Sequence, residues 1–251
     1  MNKKTLLKNA KIYNGTTDAA FVGDVLIEGD RIAEVAPSIA ACDECEVTDL
    51  QGLSLAPGFI DAHSHNDWFA LRKDSDKFFV PFIRQGITTF VAGNCGLSAT
   101  GFSDDTPHKD IIGGGLFFFK DGAPKGQVKD FLEAADKNMP CNLAVLAGHC
   151  TARASASGST SNKLSPEEEK EMLGSLELAL QQGAAGISLG LMYDPGLYAD
   201  TDELKKVAKL CEKYDRPLTV HQEQTRPYQC LTLSFSDALI CFVQLMSSKK
   251  S

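Results

Sequence analysis

Two hydrophobic rhythms divide this chain. From Thr5 to about Leu55, apolar residues come in short runs broken by tight turns. Leu6, Ala10, Ile12 and Tyr13 precede Asn14-Gly15, and runs at 24–28 and 31–35 are split by Gly29-Asp30. β-rich runs separated by Gly-Asp predict a hairpin, and residues 47–55 read as a second one. Residues 1–55 are therefore expected to form a small antiparallel β unit, too small to hold a core alone.

After Pro57-Gly58 the pattern changes. Continuous apolar runs at 58–62, 88–92, 142–147, 186–191 and 217–220 predict buried strands, with helical stretches between several of them. Ser165-Pro166-Glu167-Glu168-Glu169 has the form of a helix start: a capping serine, proline at the first helical position, then acids facing the helix dipole. Met172, Leu176, Ala179 and Leu180 continue that helix at helical spacing, and Gly183 stops it. A second helix runs from Thr201 through Leu204, Val207 and Leu210. Strand-then-helix repeats with continuous apolar strands imply a parallel sheet covered on both faces. The expected fold is α/β: a partial TIM-type (β/α) barrel over 56–221, preceded by the small β unit and followed by an atypical tail over 222–251. Residues 104–126, with Gly113-Gly114-Gly115 and Phe117-Phe118-Phe119, break the rhythm as a long loop, read equally as a lid or as local packing.

Composition narrows the classes. An apolar share of 43% and a charged share of 23% are those of a globular protein. The net charge of −8, without a basic stripe, argues against nucleic acid or an anionic membrane as partner. Alternation after Met1-Asn2-Lys3-Lys4 is unlike a signal peptide, and no apolar run approaches the roughly 18–20 residues of a membrane span. The expectation is a cytoplasmic protein whose eight cysteines are reduced. Cys42 and Cys45 form a Cys-x-x-Cys pair, but Asp43, Glu44 and Glu46 around it raise a thiol pKa, the wrong direction for reactivity.

The chemistry gathers at strand ends. In Asp61-Ala62-His63-Ser64-His65, strand alternation puts both histidines on one face, where two imidazoles can grip one metal ion. In a β/α barrel the C-terminal strand ends carry the active site. The next strand ends in Gly93-Asn94-Cys95-Gly96, so Cys95 reads either as a thiolate ligand or as a buried structural cysteine; spacing does not choose. His149, Tyr193 and His221 end the third, fourth and fifth strands, while His108 lies in the long loop and reads as a surface residue.

These residues resemble the amidohydrolase superfamily, and within it the D-aminoacylase (N-acyl-D-amino-acid deacylase) family. The matching segments are the run from Ala56 to Asp67, Gly93-Asn94-Cys95-Gly96, Gly148-His149 with Arg153, and the run from Gly190 to Gly196. The resemblance implies Zn2+ held by His63 and His65 at one position and by Cys95 and His221 at a tighter one. It implies substrate contact by Tyr193, Arg153 and His149, with Tyr193 at the transition state. The implied substrate is an N-acyl-D-amino acid, hydrolysed at its amide. Two alternatives stand beside this: a cyclic amidase of the dihydroorotase or hydantoinase type, and a non-catalytic module that associates through an open barrel edge. The cyclic amidases require a carboxylated Lys near the fourth strand, and residues 186–193 contain none.

The end of the chain departs from the pattern. The family needs a further His on the sixth strand and an Asp general base on the eighth. Here no His follows His221, Glu223 stands where the family commonly has Arg, and Asp237 is the only Asp after Asp215. A barrel of roughly 250 residues does not fit in what remains. The expectation is a truncated copy with no complete catalytic set.

Overall fold

The computed structural model describes residues 3–16, 19–119, 125–159 and 161–221. The expectations for Glu223, Asp237 and the tail lie outside them. The described residues form two compact units, divided between Gly58 and Phe59.

The first unit is one sheet in the order β3-β2-β1-β4. β1 (Lys4–Ile12), β2 (Phe21–Glu28) and β3 (Arg31–Ala36) are antiparallel, and the turn between β2 and β3 is the expected Gly29-Asp30. The second hairpin does not exist. β4 (Cys45–Asp49) and β5 (Ser54–Leu55) both pair with β1 in parallel, so the sheet is mixed. The break between β4 and β5 lies opposite a bulge at Asn9, in left-handed conformation with φ 56°. Its partner strand bows out at Gln51 and Gly52 to match, with Gly52 N–H bonded to Asn9 O. Two runs broken by Gln-Gly mimic a hairpin in the sequence but are one strand interrupted. Asp24, buried in this sheet, accepts the N–H groups of Ile39 and Asn9, and those bonds hold its carboxyl below the usual range.

The thiols of Cys42 and Cys45, expected to be reduced, are joined as a disulfide. The bond from Cys45 N–H to Cys42 O folds the loop into a turn with Cα atoms 5.2 Å apart, within disulfide range.

The second unit is a parallel sheet of β6 (Phe59–Asp61), β7 (Ile87–Ala92), β8 (Asn142–Gly148), β9 (Gly186–Gly190) and β10 (Leu218–His221), ordered by sequence. Each lies within the apolar runs read from the sequence or one residue beyond. Helices cover it: α1 (Asp67–Ala70), α2 (Asp76–Ile83), α3 (Val128–Asp136), α4 (His149–Ser157), α5 (Pro166–Gln181) and α6 (Thr201–Lys213). This is the curled parallel half-barrel expected.

Helix α5 begins as its sequence dictates. Ser165 Oγ accepts Glu168 N–H at 3.2 Å, and Ser165 N–H donates to Glu168 Oε2 at 2.7 Å, a reciprocal cap. Its Met172 and Leu176 are buried with Ile187, Leu189, Val207 and Leu218 in the main core. α4 was invisible to periodicity because His-Cys-Thr-Ala-Arg-Ala-Ser-Ala-Ser carries no apolar stripe. A second cluster packs Trp68, Phe102 and Phe131 against Ile112, Phe117 and Phe119 of the long loop. No helix among the described residues is long and apolar enough to cross a membrane.

Candidate metal centre

β6 ends at Asp61, so the two histidines follow the strand rather than lie in it. The backbone still runs beside β7: Ser64 N–H donates to Val91 O at 3.0 Å, and Ser64 is buried. That keeps the alternation, with Ser64 turned in and His63 and His65 on the other side. Their ring centroids are 5.8 Å apart.

Across from them, Cys95 sits at the tip of a turn in left-handed conformation, φ 57°. A non-glycine residue holds that backbone only where its surroundings demand it. Cys95 Sγ lies 3.3 Å from His63 Nε2 and 3.1 Å from His221 Nδ1. One donor atom each from His63, His65 and Cys95 falls within a 4.8 Å group. His65 Nδ1 is buried without a hydrogen-bond partner, and its ring stacks on Phe117 at 4.9 Å. Phe117 also stacks on Trp68 at 5.3 Å, so the long loop returns to wall one side of the site.

The electrostatics suit a cation. Burial lowers the pKa of His63 and His221, and brings His65 down to about 4. All three imidazoles are therefore neutral at pH 7, with lone pairs available. Burial also pushes the Cys95 thiol up to about 11, so the thiolate needs a positive charge beside it to form at neutral pH. Two or three imidazoles and a thiol, one ring nitrogen orphaned, fit the donor preference of zinc.

Tyr193 stands beside this group, its ring edge-on to His221 at 5.1 Å. It is half-buried, and burial raises its phenol pKa, with Cys95 and Cys150 adding to the effect. His149 and Arg153 are placed differently. Both are fully buried and bonded to Glu203 of α6: His149 Nε2 at 2.7 Å and Arg153 Nε at 3.1 Å. Arg153 also donates to Asn162 O at 2.9 Å. An interior guanidinium needs a counter-charge, and Glu203 supplies it.

Residues 54–228 match a family model described as the amidohydrolase family. The chain belongs to the amidohydrolase family. D-aminoacylase of Alcaligenes xylosoxydans xylosoxydans is 34% identical to it over 220 residues, covering 86% of this chain and 42% of that enzyme. A solved D-aminoacylase, described for its binuclear metal center, superposes with a TM-score of 0.74 at 28% identity, over 88% of this chain and 45% of that one. N-acyl-D-glutamate deacylase from Bordetella bronchiseptica, solved with zinc and a phosphonate inhibitor, superposes at 0.67 and 27% identity with the same coverage. This amidohydrolase chain thus spans less than half the length of these relatives.

Several residues at or behind the strand ends carried no sequence signal of their own. Glu203 looked like one more first-turn acid of α6. Asn94 was read only as part of its motif, and Ser188 not at all, although a serine inside the buried run Gly186-Ile187-Ser188-Leu189-Gly190 must bond to something.

Proposed function

We propose that this chain carries the metal-binding half of a zinc-dependent site that hydrolyses the amide bond of N-acyl-D-amino acids. The observation that carries the reading is Cys95 Sγ placed between His63 Nε2 and His221 Nδ1, at 3.3 and 3.1 Å. On this reading His63, His65, Cys95 and His221 hold zinc. A zinc ion bound there would supply Lewis acidity towards a water and a carbonyl oxygen. Tyr193 is protonated at neutral pH, as burial moves its phenol further above its ordinary value, and it donates that O–H to the oxygen that gains charge as the amide carbonyl is attacked. Phe117 and Trp68 exclude water from the His65 side. His149 and Arg153 act through Glu203, joining α4 to α6 behind strands β8 and β9. The relatives named D-aminoacylase and N-acyl-D-glutamate deacylase support the substrate class.

The test is metal content and D-amino-acid release, measured together. Purified chain will contain zinc that His63→Ala and Cys95→Ser each reduce, and any release of free amino acid from N-acetyl-D-amino acids will exceed that from the L-enantiomers. Zinc content unchanged in both variants overturns the reading.

A second reading, association through the sheet edge, draws on Phe59 and Ile60. They lie on the terminal strand β6 and are 62% and 64% exposed. Light scattering that finds only monomer at high concentration sinks it.

A further inference from the structure

We infer that Ser188, a buried residue on β9 that touches none of the metal-ligating atoms, is the positioning residue that sets the Cys95 thiolate. The inference rests on the reading of Cys95 as a metal ligand and adds what holds it there.

In the Gly93-Asn94-Cys95-Gly96 turn, Gly93, Cys95 and Gly96 all have positive φ, at 75°, 57° and 73°. The glycines take this conformation freely, but Cys95 carries a side chain in the left-handed region and needs bonds around it to stay there. The neighbouring strand β8 does not supply them through its side chains, because it passes the turn at Gly148. A Cβ on Gly148 would come within 2.4 Å of Gly96 O. The space left by that missing side chain lets Ser188, the register partner of Gly148, face the turn. Ser188 is fully buried. Its Oγ donates to Gly93 O at 2.5 Å and accepts Gly96 N–H at 2.9 Å. One hydroxyl therefore closes the turn on both sides of Cys95, satisfying a carbonyl and an N–H that are otherwise buried.

Other contacts of the turn define what Ser188 alone does, and the Asp67 carboxylate already holds Gly93 N–H. Asn94 Nδ2 donates to Val91 O at 2.9 Å and to Ser64 O at 3.3 Å, tying the turn to the His63–His65 segment. Thr151 N–H bonds Gly96 O at 3.0 Å from the outer side. None of these reaches the Gly93 carbonyl. Without the serine hydroxyl, Gly93 O and Gly96 N–H have lost their shared partner, and the left-handed φ of Cys95 is free to relax. The thiol then swings from its place between His63 and His221.

The test uses the full chain, stripped of metal by chelation and titrated with Co2+, then with zinc as competitor. The readout is the thiolate-to-cobalt charge-transfer band, counted only as the part missing in Cys95→Ser. Ser188→Ala is expected to weaken metal binding about 10–100-fold, the usual effect of removing a group that orients a ligand, and to diminish that band. Ser188→Thr and Ser188→Val share one shape and differ by the hydroxyl, so Thr is expected to retain the band and Val to lose it. This pair decides the matter even if Ser188→Ala folds poorly. Thr106→Val, which removes another buried hydroxyl bonded to Ser155 O, is expected to leave the band intact. Equal bands in the Thr and Val variants, or a band lost equally in Thr106→Val, overturns the inference. Wild-type chain whose cobalt spectrum matches Cys95→Ser overturns the ligand reading itself, a result distinct from either.

Discussion

Replacing Glu203 with Gln removes one charge from the interior and changes almost no volume. The carboxylate accepts from Arg153 Nε at 3.1 Å and from His149 Nε2 at 2.7 Å, and its side chain is 4% exposed. A Gln amide can still accept from one of them. Its NH2 then faces the other, and Arg153 keeps Asn162 O but loses the Glu203 charge beside it. Breaking a buried pair from one side costs about 3–5 kcal/mol, far above the roughly 0–1 kcal/mol of an exposed pair. For a domain of this size, that corresponds to about 6–20 °C in Tm. The sign with pH follows from Glu203 itself. Burial raises its pKa, but the bonds to His149 and Arg153 outweigh burial and leave it lowered. Its contribution is therefore complete above the ordinary carboxylate range and fades as pH falls through the lowered value. Thermal unfolding followed by circular dichroism will show a large gap between wild type and Glu203→Gln at pH 7 that narrows at low pH. A double variant, Glu203→Leu with Arg153→Met, is expected to recover part of the loss, since it removes the buried charge pair but leaves His149 Nε2 without its partner. A Tm for Glu203→Gln within about 2 °C of wild type, less than 1 kcal/mol, refutes the argument.

Metal affinity of the wild-type chain will rise with pH. The Cys95 thiol, at about 11 before metal binds, must lose its proton, whereas His65, at about 4, is already neutral. Calorimetry in buffers of different ionisation enthalpy is expected to find about one proton released per ion near pH 7, and affinity rising about tenfold per pH unit; a pH-independent constant contradicts this. Leu176→Ala, in the main core with 0% exposure, will cost about 2–5 kcal/mol in urea unfolding without altering the m-value. Gly190→Ala will weaken cobalt binding by at least about tenfold, because its Cβ would stand 1.9 Å from Cys95 O and the turn must move; an unchanged cobalt spectrum counts against the packing described.

Much of this was written plainly in the chain. Strands β6 to β10 announced themselves as unbroken apolar runs, and Ser165-Pro166 with three acids announced α5, because those signals are local. The ligand types were equally visible, as His63, His65, Cys95 and His221 each fall at or just beyond a strand end. What the sequence withheld was relational. Gln51-Gly52 looks like a hairpin turn until the bulge at Asn9 is seen to require the same interruption in its partner. Glu203 and Arg153 lie 50 residues apart, and nothing local to either reveals the pair. His149 and Arg153, expected at the substrate, took their place in the reading from a motif, which records that residues occur together but not which way they point. The Cys42–Cys45 bond depends on a turn that the acidic flanks gave no reason to expect.

Zinc-edge X-ray absorption on the metal-loaded chain bears most directly on the claim that Cys95 binds zinc together with histidines from other strand ends. The account predicts a shell of nitrogen near 2.0–2.1 Å together with sulfur at about 2.3 Å, the sulfur lost in Cys95→Ser and retained when Cys42 and Cys45 are both changed to Ser. A spectrum without sulfur, or one whose sulfur disappears with Cys42 and Cys45 and survives the loss of Cys95, contradicts it.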